Sequence, residues 1–166
     1  GSKIIGELLF IHFAKAYNLR MSIARLHNVY GPNGRYQSMI PKMIERIAKK
    51  TDPFPLLGPN DLRSFCYIED AVLGMKALMD SKNTDSQTYH IGGKGNETIK
   101  NLVETMFEIV NWKPKSIEER ESPPGSPVKD FPDISKIKNA TGWEPKTSLK
   151  EGLRKTILWY LSHPKH

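Results

Sequence analysis

The chain has 166 residues, enough for one domain with a sizeable core. Hydrophobic residues make up 38%, and no apolar run approaches the about 20 residues of a membrane-spanning helix, so we expect no membrane partner. The net charge of +7 could attract phosphates, but the lysines are spread along the chain without interleaved aromatic residues, so we do not expect nucleic-acid binding. The single cysteine, Cys66, permits no internal disulfide and fits a reducing cytoplasm.

The first half of the chain predicts helices that alternate with strands. The first helix is apolar nearly all round, which is typical of a helix buried on two sides. Asp70 is expected to cap the helix that follows the Arg63 segment. The predicted elements are a helix at about 4–17, a strand at 21–28, an amphipathic helix at 38–50, an extended segment at 53–57, a short strand at 63–67 and a helix at 70–80.

The second half continues the alternation. Thr98 is expected to cap a helix, and Ser148 with Glu151 forms the pattern of a capping box. Strands that alternate with helices favour an α/β fold with a parallel sheet. The predicted elements are a strand at 88–91, a helix at 98–110, a short strand at 115–119, an irregular proline-rich stretch at 122–132, a short helix at 135–140 and a last helix from 148.

Arg63 stands where a short strand runs into a helix. A guanidinium at such a junction can bind a phosphate through two parallel hydrogen bonds. For an arbitrary arginine, an ion pair with a neighbouring carboxylate is the more common role.

The strand at 21–28 ends in the polar pair His27-Asn28, before the Gly31-Pro32 turn. Parallel α/β sheets bind ligands beyond the carboxyl ends of their strands, which makes this pair a candidate site. The residues alone leave alternatives open, because Asn28 is also a common turn former and His27 could be a packed histidine rather than a proton carrier.

Five motifs occur in a fixed order along the chain: Arg25 to Pro32, Ile40 to Ile44, Arg63 to Asp70, Asp133 to Lys136 and Gly142 to Pro145. This ordered set resembles the extended short-chain dehydrogenase/reductase family, which includes NAD(P)-dependent epimerases, dehydratases and reductases of nucleotide-sugars. The resemblance covers essentially the whole chain. It implies an α/β fold: the C-terminal part of a Rossmann-type doubly wound parallel sheet plus the small α/β substrate-binding domain.

Two elements of that family are not found in the chain. No Gly-rich turn of the kind that holds a dinucleotide pyrophosphate occurs, and the tyrosine that precedes Lys3 in the family's catalytic pair would lie before Gly1. We therefore expect residues 1–166 to be the C-terminal substrate-binding half of a longer enzyme, without its N-terminal dinucleotide-binding part. NAD or NADP would bind the full-length parent, and the isolated chain would bind none and be inactive. Its partners would be the missing half or another copy of itself.

The resemblance also assigns site residues. Lys3 would be the catalytic lysine and would bind the nicotinamide ribose, with Leu26 and Val29 lining the nicotinamide; no metal site is expected. For Lys42, a solvated position on a helix face is the more common role. Lys129 is the one cation in a segment where the family often supplies a second arginine. The implied substrate contacts are Asn28, Pro41, Lys42, Phe54, Leu57, Gly58, Arg63 and Lys129.

The function implied by the resemblance is the nucleotide-sugar-binding portion of an enzyme like UDP-glucose 4-epimerase. The alternatives are a nucleotide-sugar 4,6-dehydratase, a decarboxylase or a reductase. An alternative of another class is a non-catalytic nucleotide- or RNA-binding relative that keeps the fold. Ser38 replaces a histidine that is found in related 3,5-epimerase/reductases, which disfavours that subgroup.

Overall fold

The structure is a computed structural model and describes residues 1–163. Its helices match the predicted helical segments closely, because their apolar spacing and caps are local signals. The helices are α1 (Ser2–Tyr17), α2 (Met39–Ala48), α3 (Ile68–Asp80), α4 (Ile99–Val110), α5 (Ser135–Thr141) and α6 (Leu149–Ser162).

The strands are short and pair only with strands that are distant in sequence. They are β1 (Ser22–Leu26), β2 (Val29–Tyr30), β3 (Phe54–Leu57), β4 (Leu62–Arg63), β5 (Cys66–Tyr67), β6 (Gln87–Ile91), β7 (Glu97–Thr98), β8 (Ile117–Arg120) and β9 (Lys129–Asp130). β1 pairs with β6, β2 with β5 and β3 with β8, all in parallel. β4 lies between antiparallel β7 and parallel β9. Within residues 1–163, no two strands that are consecutive in the chain pair with each other.

Among residues 1–163, the core consists of two hydrophobic clusters. The larger cluster packs α2, α4 and α6 over β3 and includes Ile44, Phe54, Leu102 and Leu153. The smaller cluster packs α3 and α5 against the β1–β6 pair and includes Ala71, Tyr89, Ile91, Ile137 and Trp143.

Thr98 caps α4 as predicted, since its hydroxyl accepts the backbone N–H of Asn101 at 3.0 Å. Ser148 likewise accepts the N–H of Glu151 at the start of α6, at 3.3 Å, while the Glu151 carboxylate pairs with Lys155. Both caps satisfy N–H groups that a helix leaves free at its first turn.

The prediction that Asp70 caps α3 is wrong. The helix begins at Ile68, directly after β5, and Tyr67 is its N-cap residue. Asp70 is buried inside the first turn, and its carboxylate accepts the backbone N–H of Thr147 at 2.8 Å. The carboxylate thus satisfies the N–H of a distant loop, a requirement that sequence spacing does not reveal.

The expectation that α1 is buried on two sides is not met within this chain. Only Ala14 of this helix is buried. Arg25 of β1 forms an ion pair with Glu7, at 2.6 Å, that ties the helix to the sheet. The large apolar side chains that α1 leaves exposed are Ile4, Ile5, Leu8, Leu9, Phe10, Phe13 and Tyr17. No helix among the described residues is long and apolar enough to cross a membrane.

Candidate functional site

The carboxyl ends of β1 and β6 lie side by side, with Leu26 opposite Ile91. The predicted strand at 21–28 stops at Leu26, because Asn28 adopts a left-handed conformation with φ of 41°. Asparagine tolerates this conformation better than most residues. The resulting bend brings the Asn28 side-chain amide within 3.1 Å of the Asp130 carboxylate, to which it donates a hydrogen bond.

A cavity of about 190 Å³ opens beyond this bend. Three of the predicted site residues, Asn28, Val29 and Pro41, line it together with Phe65 and Arg35. Apolar walls combined with a few polar groups are typical of a small-molecule site. Arg35, which is exposed, brings a positive charge to the lining of this cavity.

Arg63 lies outside that cavity, in β4. Its guanidinium donates to the Asp61 carboxylate at 3.0 Å and to the Leu62 carbonyl at 3.0 Å. The side chains of Arg63 and Asp61 are 11% and 12% exposed, so the ion pair is largely shielded from water. Arg63 in β4 also lies opposite Asp130 in β9. Because the Asp130 carboxylate accepts the Asn28 amide, Asp130 connects Arg63 with Asn28.

Three of the implied substrate contacts, Phe54, Leu57 and Gly58, lie in β3 and the turn after it. Phe54 is fully buried, with its ring edge-on to Phe107 at 5.1 Å between centroids, so its side chain belongs to the core. Leu57 is 41% exposed and offers apolar surface at the strand end. Gly58 has a φ of 57°, and a Cβ there would lie 2.1 Å from the Ser122 hydroxyl, so this position requires glycine.

The remaining predicted residues lie at the surface. Lys3 is exposed on α1, Lys42 is exposed on α2 and Lys129 is exposed on β9. Leu26 is 48% exposed at the end of β1, where its side chain could face a flat ring. Within residues 1–163, no cluster of histidine, cysteine or acidic side chains is arranged to hold a metal ion.

The sequence arguments missed Arg35, His90 and Asp130. Arg35 follows the Gly31-Pro32 turn and could have been noticed as a cation close to the motif. His90 and Asp130 join the site only through strand register, which a single sequence does not show. Burial of the His90 ring and the positive charges of His27 and Arg25 lower its pKa below the ordinary histidine value, against the opposing effect of Asp133 and Glu7.

Comparison with known sequences identifies the relatives of this chain. The sequence model of the GDP-mannose 4,6 dehydratase family matches residues 1–156. UDP-glucuronic acid decarboxylase 3 of Arabidopsis thaliana is 36% identical over 156 residues, which cover 91% of this chain and 44% of that protein. A trifunctional UDP-glucose 4,6-dehydratase/UDP-4-keto-6-deoxy-D-glucose 3,5-epimerase/UDP-4-keto-L-rhamnose-reductase of the same plant is 30% identical over 165 residues, which cover 98% of this chain and 24% of that protein.

Solved structures with a similar fold are also structures of nucleotide-sugar enzymes. UDP-glucuronic acid 4-epimerase from Bacillus cereus, in complex with UDP-glucuronic acid and NAD, superimposes with a TM-score of 0.88 at 26% identity, covering 96% of this chain and 51% of the epimerase. A dTDP-glucose 4,6-dehydratase from Bacillus anthracis, in complex with NAD, gives a TM-score of 0.82 at 25% identity, covering 95% of this chain and 50% of the dehydratase. The chain therefore spans about half, or less, of the length of these relatives.

The fold and these likenesses define the class of protein: a Rossmann-type α/β protein of the extended short-chain dehydrogenase/reductases that act on nucleotide-sugars. Within that class, the chain belongs to the GDP-mannose 4,6-dehydratase family. The resemblance stated from the five ordered motifs is thereby confirmed.

Proposed function

We propose that this chain binds a nucleoside-diphosphate sugar and forms the substrate-binding half of an NAD(P)-dependent nucleotide-sugar enzyme, with a UDP-hexuronic acid as the preferred ligand. The observation that carries the proposal is the cavity beyond β1, whose lining combines Asn28 and Arg35 with apolar residues. An amide can hydrogen-bond sugar hydroxyls, and a guanidinium matches a carboxylate in charge and shape.

The choice of a uronic acid rests on the relatives. The Arabidopsis relative is named for UDP-glucuronic acid decarboxylation and the Bacillus cereus relative for UDP-glucuronic acid 4-epimerisation, and the latter structure holds that ligand. Two different reactions thus share one substrate. We therefore propose the substrate class, and keep 4-epimerase, decarboxylase, 4,6-dehydratase and reductase as alternatives for the reaction of a longer protein. A non-catalytic nucleotide- or RNA-binding relative is the alternative of another class.

Arg63 is proposed to bind the diphosphate. Its fork of donors suits two phosphates, and in the structure two of its five N–H donors bind Leu62 and Asp61. A phosphate would therefore bind through the remaining donors or displace Asp61. Lys129 is exposed on β9, where it lies opposite Leu62, the residue before Arg63 in β4. Because of this position beside Arg63, we propose Lys129 as the second cation.

The residues present fit only one end of a dinucleotide. Leu26 and Val29 could form the apolar wall beside a nicotinamide, and Lys3 could bond its ribose, whereas the chain contains no Gly-rich pyrophosphate loop. When bound to a longer protein, NAD(P) would supply a reversible hydride acceptor for a sugar carbon. The residues of this chain would hold the sugar and exclude water around it.

Calorimetric titration of the chain with UDP-glucuronic acid and UDP-glucose tests the substrate class. We expect the uronic acid to bind more tightly, and Arg35→Ala to remove that preference by weakening UDP-glucuronic acid alone. Arg120→Ala is a matched control, because Arg120 is an exposed arginine that pairs with Glu118 and does not line the cavity. Equal affinities for the two ligands in the parent chain would contradict the uronic acid assignment.

Arg63→Lys tests the diphosphate contact. Lysine keeps the positive charge but loses the fork, so the affinity for both nucleotide-sugars should fall by about 10-fold, corresponding to about 1.4 kcal/mol. Unchanged binding of both ligands to the Arg63→Lys chain would show that Arg63 does not contact the diphosphate.

A further inference from the structure

Two histidine rings from neighbouring strands face each other beside the candidate site. His27 Nε2 lies 2.8 Å from His90 Nδ1, and the ring centroids are 4.9 Å apart. On its other side, His27 Nδ1 lies 3.5 Å from Asp130 Oδ1. The other oxygen of that carboxylate accepts the Asn28 amide at 3.1 Å. One continuous chain of polar groups therefore runs from His90 to Asn28.

The contacts of the pair favour one arrangement of the ring protons. A hydrogen bond between two ring nitrogens needs one N–H and one bare nitrogen. The Asp130 carboxylate favours a proton on His27 Nδ1, so the neutral His27 ring has a bare Nε2. His90 must then donate from Nδ1 to His27, which leaves the Nε2 of His90 as a bare nitrogen at the end of this series of polar groups.

Burial of its ring disfavours the protonated form of His90 and lowers its pKa below the ordinary value of 6.5. The positive charges of a protonated His27 and of Arg25 act in the same direction, while Asp133 and Glu7 oppose them. The charged groups around the pair come from every element packed against it: Glu7 on α1, Arg25 on β1, Asp130 on β9, Asp133 before α5 and Lys136 on α5, whose amine bonds the Thr88 carbonyl beside His90.

We propose that His27 and His90 are positioning residues that hold Asp130, and through it the Asn28 amide, only while no more than one proton is added to the neutral pair. One added proton still leaves a single hydrogen between the two facing nitrogens, so the rings keep their contact. A second proton puts hydrogens on both facing nitrogens, so the rings separate and Asp130 loses its partner. No covalent step is involved, and the proton comes from solvent.

The sign of the pH dependence follows from the lowered pKa of His90. A histidine whose folded pKa lies below its unfolded pKa binds more protons when unfolded, so the contact is fully stable above about pH 6.5 and weakens as the pH falls below it. The Asn28 side chain should therefore lose its fixed orientation in mildly acidic solution.

NMR of the wild-type chain with ¹⁵N-labelled histidine tests the proposal without a ligand. At about pH 8, where histidine rings are neutral, both His27 and His90 should carry their proton on Nδ1. Exposed His12 on α1 should show the Nε2–H form that free imidazole side chains prefer. His27→Asn and His90→Asn assign the two signals. An Nε2–H form on both rings of the wild-type chain would overturn the proposal.

Matched aspartate variants separate a positioning role from general packing. Asp130→Ala should return His27 to the Nε2–H form and shift the side-chain amide signal of Asn28. Asp133→Ala removes an equivalent nearby charge, whose carboxylate bonds the Ser135 N–H, and should leave both signals in place. In the wild-type chain the Asn28 amide signal should move as the pH falls to about 5, below the ordinary histidine pKa. An Asn28 signal that stays fixed over this range would also overturn the proposal, whatever the outcome of nucleotide-sugar titrations.

Discussion

Replacing Arg63 with alanine should destabilise the chain far more than replacing an exposed arginine. The guanidinium makes two hydrogen bonds, and the Asp61 carboxylate that it neutralises is only 12% exposed. Both bonds are donated by a charged guanidinium, and a hydrogen bond that involves a charged group contributes about 1.5–3 kcal/mol. Because the variant also leaves a shielded carboxylate without its counter-charge, we expect a loss of about 3 kcal/mol in the free energy of unfolding.

Urea unfolding, followed by tryptophan fluorescence at constant protein concentration, measures this loss. Arg120→Ala is the control: its side chain is 58% exposed and pairs with Glu118, so about 0.5 kcal/mol or less is expected. The double variant Asp61→Ala/Arg63→Ala should lose less stability than the sum of the two single variants, because neither partner remains unpaired. Equal losses for Arg63→Ala and Arg120→Ala would refute the reasoning.

Three further predictions concern packing, reactivity and association. A Cβ on Gly93 would lie 1.9 Å from the backbone oxygen of Phe65, so Gly93→Ala should lower the free energy of unfolding, measured by chemical denaturation, by more than about 3 kcal/mol. Gly6 in α1 has open space around it, so Gly6→Ala should raise the free energy of unfolding by about 0.5–1 kcal/mol. Burial raises the pKa of the Cys66 thiol to about 12, so a thiol reagent at about pH 8 should modify it only after unfolding; fast labelling of the native chain would contradict this. The exposed apolar side chains of α1 should make the chain associate with rising concentration in sedimentation experiments, and Leu9→Glu, at a side chain 55% exposed, should reduce that association; a monomer at all concentrations would disprove it.

Local signals explain what could be predicted from the sequence. Thr98 and Ser148 cap their helices because the side chain and the N–H that it accepts lie three residues apart. The parallel pairing of β1 with β6 also agrees with the alternation of helices and strands. The five ordered motifs predicted the family correctly, and they did so without any knowledge of side-chain contacts.

Long-range contacts explain what could not be predicted from the sequence. Asp70 looked like a cap, but its carboxylate serves Thr147, which lies far along the chain. The resemblance assigned Arg63 to the substrate, and only the structure shows that Asp61 is the carboxylate that pairs with its guanidinium. His90 drew no attention in the sequence, because its contact with His27 exists only in the register of two strands.

The pairing of strands that are distant in sequence has a consequence for how the chain folds. With no hairpin among residues 1–163, no strand pair can form early from neighbouring segments, and each must wait for the closure of a long loop. Helices such as α1 and α4 can form first, but β3 gains its partner only when β8 arrives, and β4 gains its parallel partner only with β9. Folding should therefore be slow for a chain of this size, with strand edges open to wrong partners until the last third of the sequence is in place.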